Sequence, residues 1–166
     1  MQQYKAMMSE AETELIKGLL NPSMSCLEYG SGYSTAYFSK FVKFWHSIES
    51  DKNWYKKVEE MIELEGVEEK VKLELKKDEL DDYLKADLSS YDFILIDGKY
   101  RKECLDLSVK QAKKEAIIIL HDAMRYEYKD WVNKYPYKKL IDGEIIDDNF
   151  INYYKHRGIY QYGNNN

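Results

Sequence analysis

Short apolar runs alternate along the chain with longer segments whose apolar residues recur at helical spacing. The short runs predict strands at 24–29, 44–48, 71–75, 91–97 and 116–122, the third of them half-buried because charged residues alternate with its apolar ones. The longer segments predict helices at 9–20, 33–42, 54–64 and 102–114. This alternation favours βα units in a doubly wound α/β fold, with a mainly parallel sheet and helices on both faces.

The pattern is weaker after residue 122. A helix is predicted around 126–134, followed by two strands at 138–146 and 152–162 that we interpret as an antiparallel pair. The length of 166 residues fits one domain with a single core, and no repeat or linker divides the sequence. We therefore expect residues 1–166 to form one domain with frayed ends at 1–8 and 163–166.

A glycine-rich turn follows the first predicted strand. Residues 25–35 read SCLEYGSGYST, and Glu49 lies nineteen residues after Gly30 at the end of the second apolar run. Such a turn brings backbone amides close to a ligand, and a carboxylate one strand later can accept hydrogen bonds from both hydroxyls of a ribose. The spacing is typical of a nucleoside site. The alternative is a tight turn in which Ser34 caps the following helix.

This turn differs at two positions from the dinucleotide-binding fingerprint Gly-x-Gly-x-x-Gly. Thr35 replaces the third glycine, and Glu28 precedes the first, where its carboxylate would repel a pyrophosphate. A carboxylate at this position could instead lie near a cationic ligand, and S-adenosylmethionine carries both an ammonium and a sulfonium. Among the nearby aromatic residues, we interpret Trp54 as part of the core and leave Tyr33 open between the core and an adenine.

The predicted strands end in residues that suit a binding site. In open parallel sheets, ligands lie outside the carboxyl ends of the strands, near the point where the winding direction reverses. Each acid alone is a weak signal, because Asp also forms ordinary turns. Their convergence on one rim of the sheet indicates a functional site. The residues at this rim are Gly30, Glu49, Asp78, Asp97, His121 and Asp122.

The last two strands carry the candidate catalytic groups. Asp97 is followed by Lys99 and Arg101, which should keep it ionised and able to bind a metal or accept a proton. The alternative is a simple ion pair in a loop. His121 ends an apolar strand beside Asp122, and an imidazole can act as a base near neutral pH. The alternative is a core histidine bonded to backbone groups.

Composition excludes several classes of protein. A net charge of −5 and an isoelectric point of 5.3 argue against binding to the nucleic-acid backbone. Cys26 and Cys104 lack the spacing of a metal site or disulfide framework, which favours buried thiols in a reducing compartment. No stretch approaches the ~20 apolar residues that cross a bilayer. We expect a soluble, cytoplasmic monomer or homodimer with no nucleic-acid or membrane partner.

Together these residues resemble the class I S-adenosylmethionine-dependent methyltransferases, and more closely their branch of small-molecule O-methyltransferases. The Leu-Glu-aromatic-Gly-Ser-Gly-x-Ser-Thr turn of that branch is matched by residues 27–35. The similarity spans roughly residues 9–130 and implies a Rossmann-like fold with S-adenosylmethionine as the methyl donor. It continues through 47–49 with Trp54, through 96–98 with Arg101 and Cys104, and through 119–122 with Arg125.

The resemblance implies roles for the matched residues. Glu49 would hold the ribose hydroxyls, and Asp78 would approach the adenine. Some related enzymes bind Mg²⁺ or Mn²⁺ at the positions of Asp97 and Asp122. This cation is left open, because His121 precedes Asp122 where a metal-dependent catechol-type enzyme has an acid followed by another oxygen ligand. The implied cofactor-binding residues are Glu28, Tyr29, Gly30, Ser31, Gly32, Ser34, Thr35, Glu49, Ser50, Asp78 and Asp97. The implied acceptor-binding residues are Lys99, Tyr100, Arg101 and Arg125, and the catalytic ones are Asp97, His121 and Asp122.

Three hypotheses follow from the sequence. The first is methyl transfer to a hydroxyl of a sugar or other polar small molecule, with His121 or Asp97 as the base. The second is an NAD(P)-dependent oxidoreductase, which Thr35 and Glu28 disfavour. The third is a non-catalytic nucleoside-binding subunit, which would have no need of His121 and Asp122.

Overall fold

A seven-stranded sheet forms the centre of the structure, a computed structural model that describes residues 8–123, 126–128, 137–138 and 160–162. The five parallel strands are β1 (Ser25–Tyr29), β2 (Phe44–Glu49), β3 (Val71–Leu75), β4 (Phe93–Ile96) and β5 (Ile117–Leu120). Two short strands are β6 (Tyr137–Lys138) and β7 (Tyr160–Tyr162), and β7 runs antiparallel to both β5 and β6. The strand order is β3-β2-β1-β4-β5-β7-β6.

Helices connect these strands, so the predicted doubly wound α/β alternation is confirmed. The predicted helix at 33–42 is divided into α2 (Tyr33–Phe38) and a 3₁₀ turn at Ser39–Phe41. Further 3₁₀ turns lie at Glu68–Lys70, Leu88–Ser90 and Tyr126–Tyr128. The α-helices are α1 (Glu10–Leu19), α2 (Tyr33–Phe38), α3 (Lys52–Glu65), α4 (Leu80–Tyr83) and α5 (Arg101–Gln111).

Capping residues fix the ends of α1 and α3. Ser9 and Glu12 form a capping box, in which the Ser9 backbone N–H donates to the Glu12 carboxylate at 2.8 Å. The Asp51 carboxylate accepts from two backbone N–H groups in the first turn of α3, including that of Trp54. Gly66 ends α3 at a φ of 65°, a left-handed conformation that glycine adopts without steric cost.

Alternating residues of the central strands build a core on each face of the sheet. From β1, Cys26 packs with Ile16 of α1 and Phe38 of α2 on one face. Leu27 points to the opposite face and packs with Leu105 of α5. Because both faces are covered, four of the five residues of β1 are buried, as expected for a central parallel strand.

The register of the parallel strands places the predicted rim residues side by side. Tyr29 is paired with Ile48 on one side and with Ile96 on the other. Ile96 is in turn paired with Leu120. The chain winds outward in opposite directions from the β1/β4 boundary, which is where ligands bind in this class of sheet. The next residue along each of these strands is Gly30, Glu49, Asp97 and His121.

Several sequence predictions fall wholly or partly outside the described residues. These are the helix at 126–134 beyond residue 128, most of the strands at 138–146 and 152–162, and the ends at 1–7 and 163–166. Both cysteines are buried free thiols, as predicted. No helix within the described residues is long and apolar enough to span a bilayer.

Candidate functional site

A cleft of about 240 Å³ opens at the boundary between β1 and β4. We call residues 30–34, together with Glu49 and Trp54, the glycine-loop end of this site. Asp97 continues the cleft into a group of charged side chains that we call the ion-pair cluster. The residues lining the cleft are Met8, Gly30, Ser31, Gly32, Tyr33, Ser34, Glu49, Trp54, Tyr83, Asp97, Gly98 and Lys99. The ion-pair cluster consists of Glu12, Asp97, Arg101, His121 and Asp122.

Two glycines meet at the floor of the cleft. Gly30 has a φ of 95°, and a Cβ atom there would lie 2.3 Å from the Gly98 Cα. A Cβ atom on Gly98 would lie 2.7 Å from the Gly30 Cα and 2.2 Å from the Tyr83 hydroxyl. The loops after β1 and β4 therefore touch through their backbones, which only glycine permits at both positions.

Ser31, Glu49 and Trp54 form a hydrogen-bonded wall at the glycine-loop end. The Ser31 hydroxyl donates to Glu49 Oε2 at 2.9 Å, and the Trp54 indole N–H donates to the Ser31 carbonyl at 2.7 Å. Glu49 Oε1 accepts from the backbone N–H groups of Ser50 and Asp51 at 2.7 and 2.8 Å. Glu49 Oε2 accepts only the Ser31 bond among the described residues, so it can take a second donor from a ligand.

Glu28 lies beneath the turn rather than in the cleft that the sequence predicted for it. Its side chain is fully buried and accepts hydrogen bonds from Ser34, Thr35, Trp45 and Ser47. Burial raises the pKa of Glu28 to about 7, although each of the four hydrogen bonds lowers it. The four donors join β1, α2 and β2, so the contacts give Glu28 a supporting role under the loop.

Other residues predicted to bind the cofactor also act as supports. Thr35 accepts from the Gly32 backbone N–H at 2.9 Å, which holds the glycine turn against α2. Tyr29 is fully buried in the core. Ser50 contributes its backbone N–H to Glu49. Their side chains lie outside the lining of the cleft, whereas the lining includes Gly30, Ser31, Gly32, Ser34, Glu49 and Asp97.

Asp78 forms an exposed ion pair instead of lining the cleft. Its carboxylate accepts from Lys99 Nζ at 2.6 Å and from the Tyr100 hydroxyl at 3.1 Å. The bond from Lys99 holds the Asp78 pKa below its ordinary value. Among the residues predicted to bind the acceptor, Lys99 lines the cleft and Tyr100 does not. Arg125 lies outside the described residues.

The ion-pair cluster joins the tips of β4 and β5 to α1 and α5. Asp97 Oδ1 lies 2.9 Å from His121 Nδ1 and 2.8 Å from Arg101 Nη2. Arg101 Nη1 lies 3.4 Å from Asp122 Oδ2, and His121 Nε2 lies 3.9 Å from Glu12 Oε1. Asp97 Oδ2 has no hydrogen bond within the described part of the chain, although Asp97 lines the cleft. This oxygen is the open position of the cluster.

Arg101 is buried in the protein and not directed at an acceptor as the sequence predicted. It is 8 % exposed and donates four hydrogen bonds within the protein. Nε donates to the Gly98 carbonyl, Nη1 to the His121 carbonyl and Asp122, and Nη2 to the Asp97 carbonyl. Nη2 also forms an ion pair with Asp97 Oδ1 at 2.8 Å, so the guanidinium is engaged by the protein on all sides that carry a nitrogen.

The surroundings of His121 set its charge. Burial lowers the His121 pKa, but the carboxylates of Asp97 and Glu12 outweigh burial and raise it to about 10. For Glu12, a carboxylic acid, burial acts in the opposite direction and would raise the pKa. The bonds with His121 and Ser9 outweigh burial and hold the Glu12 pKa below its ordinary value. His121 is thus an imidazolium at neutral pH. The hypothesis that it acts as a base is disfavoured, because the imidazolium has no lone pair to accept a proton.

Four residues of the site were missed or misjudged from the sequence. Glu12 lies in the first turn of α1 and forms an ion pair with His121, and Met8 lies just before that helix and lines the cleft. Trp54 was interpreted as core, but it lines the cleft and binds Ser31. Tyr83 comes from the short helix α4. The only sequence signal was the position of Trp54 shortly after Glu49.

Comparisons with known proteins place this geometry in a known fold. No protein-family model and no curated protein matches the sequence. A methyltransferase-like protein from Silicibacter pomeroyi is similar in structure, with a TM-score of 0.67 and 16 % identity over 98 % of this chain and 90 % of that chain. The fold is that of the class I S-adenosylmethionine-dependent methyltransferases.

Two further solved structures extend the comparison. An RNA methyltransferase from Salinibacter ruber, crystallised with S-adenosyl-L-homocysteine, has a TM-score of 0.65 and 14 % identity over 93 % of this chain and 91 % of that chain. A putative O-methyltransferase from Klebsiella pneumoniae has a TM-score of 0.63 and 18 % identity over 97 % and 84 % of the two chains. At these identities the similarity establishes the fold.

The divalent cation implied by the resemblance does not fit the residues present. Ligand atoms of Asp97, His121 and Asp122 lie within 4.8 Å of one another, which by distance alone could suit a metal. However, His121 Nδ1 carries the proton of its 2.9 Å bond to Asp97 and has no lone pair for a metal. The Arg101 guanidinium already lies between the two carboxylates and would repel a second cation.

Proposed function

We propose that the protein transfers a methyl group from S-adenosylmethionine to a hydroxyl of a sugar or another polar small molecule. The observation that carries the proposal is one cleft lined by the glycine turn, Glu49 and Asp97, whose Oδ2 has no hydrogen bond within the described residues. The fold supports the proposal, because the structural neighbours named above include methyltransferases. One of these neighbours is an RNA methyltransferase and another is a putative O-methyltransferase. The choice of a hydroxyl acceptor therefore depends on the chemistry of the cleft.

The glycine-loop end suits the nucleoside part of S-adenosylmethionine. Glu49 Oε2 is placed to accept a hydrogen bond from a ribose hydroxyl, since it has only one donor within the protein. The Trp54 ring offers a flat apolar surface beside it. A Cβ atom at Gly32 would have no neighbour closer than 3.9 Å, so the turn leaves room for a ligand against its backbone.

The ion-pair cluster suits the acceptor. When bound, S-adenosylmethionine supplies a methyl group activated by its sulfonium. Asp97 lines the cleft and its Oδ2 has no hydrogen bond within the described residues, so Oδ2 would accept the proton that an acceptor hydroxyl loses on methylation, with S-adenosylhomocysteine as the leaving group. His121 and Arg101 hold Asp97 Oδ1, so the carboxylate has a fixed orientation before the acceptor binds.

Calorimetry tests the cofactor assignment. We expect S-adenosylhomocysteine to bind and NADH not to bind, and we expect Glu49→Gln to weaken S-adenosylhomocysteine binding by about tenfold or more, the value of a hydrogen bond to a charged group. Glu63→Gln is the matched control, since Glu63 lies exposed on α3. Binding of NADH without S-adenosylhomocysteine would contradict the proposal and restore the oxidoreductase hypothesis.

A panel of hydroxylated acceptors tests the reaction. With methyl-labelled cofactor, we expect transfer to a sugar or related polyol, and we expect Asp97→Asn to lower kcat by about 100-fold or more while S-adenosylhomocysteine still binds. Asp81→Asn, which changes an exposed carboxylate of α4, should leave kcat unchanged. Good cofactor affinity without transfer to any member of the panel would favour a non-catalytic nucleoside-binding subunit.

A further inference from the structure

The guanidinium of Arg101 lies between two carboxylates of the ion-pair cluster, those of Asp97 and Asp122. It bridges Asp97 Oδ1 at 2.8 Å and Asp122 Oδ2 at 3.4 Å. The side chain is 8 % exposed, so this charge is largely removed from water. Two carboxylates brought together at a sheet edge repel each other unless a cation lies between them. Among the described residues, the Arg101 guanidinium supplies this positive charge.

We infer that Arg101 is a positioning residue that takes the place of a divalent cation between Asp97 and Asp122. Methyl transfer at this site would then depend on an internal cation and not on a metal. The inference uses the proposed function only for its activity readout, since the metal titration described below does not depend on any reaction.

The bonding of Asp97 supports this inference. Asp97 Oδ1 lies 2.9 Å from His121 Nδ1 and 2.8 Å from Arg101 Nη2, so this oxygen already faces two nitrogen groups of the protein. A metal that used this oxygen would have to displace at least one of these contacts. Because Arg101 cannot lose its proton in a protein, its charge would persist beside any bound ion.

Backbone bonds show how Arg101 positions the open oxygen of Asp97. Arg101 also donates to the carbonyls of Asp97 and Gly98 at 2.8 and 3.0 Å and to the carbonyl of His121 at 2.8 Å. These bonds fix the loops after β4 and β5 relative to each other. Gly98 in turn touches Gly30 at the glycine-loop end. A point charge such as lysine cannot make this planar set of bonds, whereas a guanidinium can.

Titration with Mn²⁺ tests the cation directly. We expect the wild-type protein to show no Mn²⁺ binding by calorimetry up to millimolar concentration. In Arg101→Met the carboxylates lose the guanidinium that lies between them, although His121 stays 2.9 Å from Asp97. The apparent Kd for Mn²⁺ should therefore fall by about tenfold or more, as when groups next to a metal site change. Lys110→Met removes the same charge from an exposed position on α5 and should gain no Mn²⁺ affinity.

Each outcome of the titration decides the inference. A micromolar Mn²⁺ site in the wild type that Asp97→Asn abolishes would overturn it. An Arg101→Met protein that unfolds cooperatively but gains no Mn²⁺ affinity would also overturn it. If Arg101→Met does not fold, Arg101→Lys provides the second test, because it keeps the charge and should still exclude Mn²⁺. Mn²⁺ binding to folded Arg101→Lys at micromolar concentration would contradict the inference.

A kinetic readout separates positioning from general stability. In folded Arg101→Lys we expect S-adenosylhomocysteine affinity to change less than about twofold, while kcat falls by about tenfold or more because Asp97 loses its fixed orientation. The wild-type rate should be unchanged by EDTA. Loss of the wild-type rate in EDTA, with recovery on adding Mn²⁺, would overturn the inference. Absence of methyl transfer in the wild type with a clean Mn²⁺ result would contradict the proposed function alone.

Discussion

The two ends of the cleft are built by different kinds of contact. At the glycine-loop end, neutral hydroxyls, backbone amides and an indole hold Glu49 and the turn, and all of them come from residues 28–54. In the ion-pair cluster, full charges from α1, α5 and the tips of β4 and β5 meet across long sequence separations. The glycine-loop end is therefore a local structure, whereas the cluster exists only once the whole sheet has formed.

The two kinds of contact suit the two ends to different functions. A nucleoside needs shape, amide donors and one carboxylate, which a turn between adjacent strands supplies. A buried group of ions contributes little net stability, because the cost of removing the charges from water offsets their attraction. What the ion-pair cluster gains is orientation, since paired charges hold Asp97 with one oxygen open.

The contact between Gly30 and Gly98 is the physical link between the ends, and breaking it should have the largest effect. Gly30→Ala adds a methyl group 2.3 Å from the Gly98 Cα at a φ of 95°. We expect the free energy of unfolding to fall by about 3 kcal/mol or more, combining backbone strain with overpacking. Chemical denaturation followed by circular dichroism measures it.

Gly66→Ala is the control for backbone strain alone. Gly66 also has a positive φ, 65°, but a Cβ atom there would meet nothing within 4 Å. We expect it to cost about 1 kcal/mol, the usual penalty of the left-handed conformation. Equal destabilisation by Gly66→Ala and Gly30→Ala would show that the loops after β1 and β4 do not depend on their contact.

The same contrast between local and long-range contacts explains which features of the fold and the site the sequence predicted. Periodicity predicted the five parallel strands and the helices between them, and the strand ends predicted that Gly30, Glu49, Asp97 and His121 share one rim. These predictions depend on neighbouring residues and on the regular geometry of a parallel sheet. They are confirmed as statements about position.

Side-chain direction and partner choice could not be read in this way. Glu28 was placed along a ligand, but hydroxyls from α2 and β2 draw it beneath the turn. Arg101 was placed on the acceptor, but three backbone carbonyls and two carboxylates surround it. Its pairing with Asp122 spans 21 residues, so no local spacing signals it.

The pH dependence of stability is the next test, because in the part of the chain that the structure describes the ion-pair cluster alone holds a buried histidine with a raised pKa. The pKa of His121 rises from its ordinary value of 6.5 to about 10 in the folded protein. A group with a raised pKa stabilises the fold fully below its unfolded value and loses that contribution as pH rises through the folded value. We expect wild-type stability to fall between pH 7 and pH 10 by on the order of 2 kcal/mol through this group. In His121→Gln this part of the decrease should be absent.

His46→Gln is the matched control, because His46 is buried but outside the cluster. Burial and the nearby Lys72 lower its pKa, despite a 2.7 Å contact with Glu74. The sign is opposite: its contribution is present above the ordinary value of 6.5 and is lost as pH falls. His46→Gln should therefore keep the alkaline decrease. If His121→Gln keeps it as well, the cluster does not hold a charged imidazole.

Gly32→Ala should have the smallest effect on folding and a selective effect at the glycine-loop end. The added methyl group would lie 3.9 Å from Ser34 Oγ and Trp54 Cζ2, which are ordinary contacts with two residues that line the cleft. Stability should change by less than about 0.5 kcal/mol, while S-adenosylhomocysteine affinity should fall by about tenfold as the methyl group takes ligand space. Gly18→Ala, in open space on α1, should leave the affinity unchanged. If Gly32→Ala binds as tightly as the wild type, the nucleoside does not lie against this turn, and the division of the cleft into two ends loses its functional meaning.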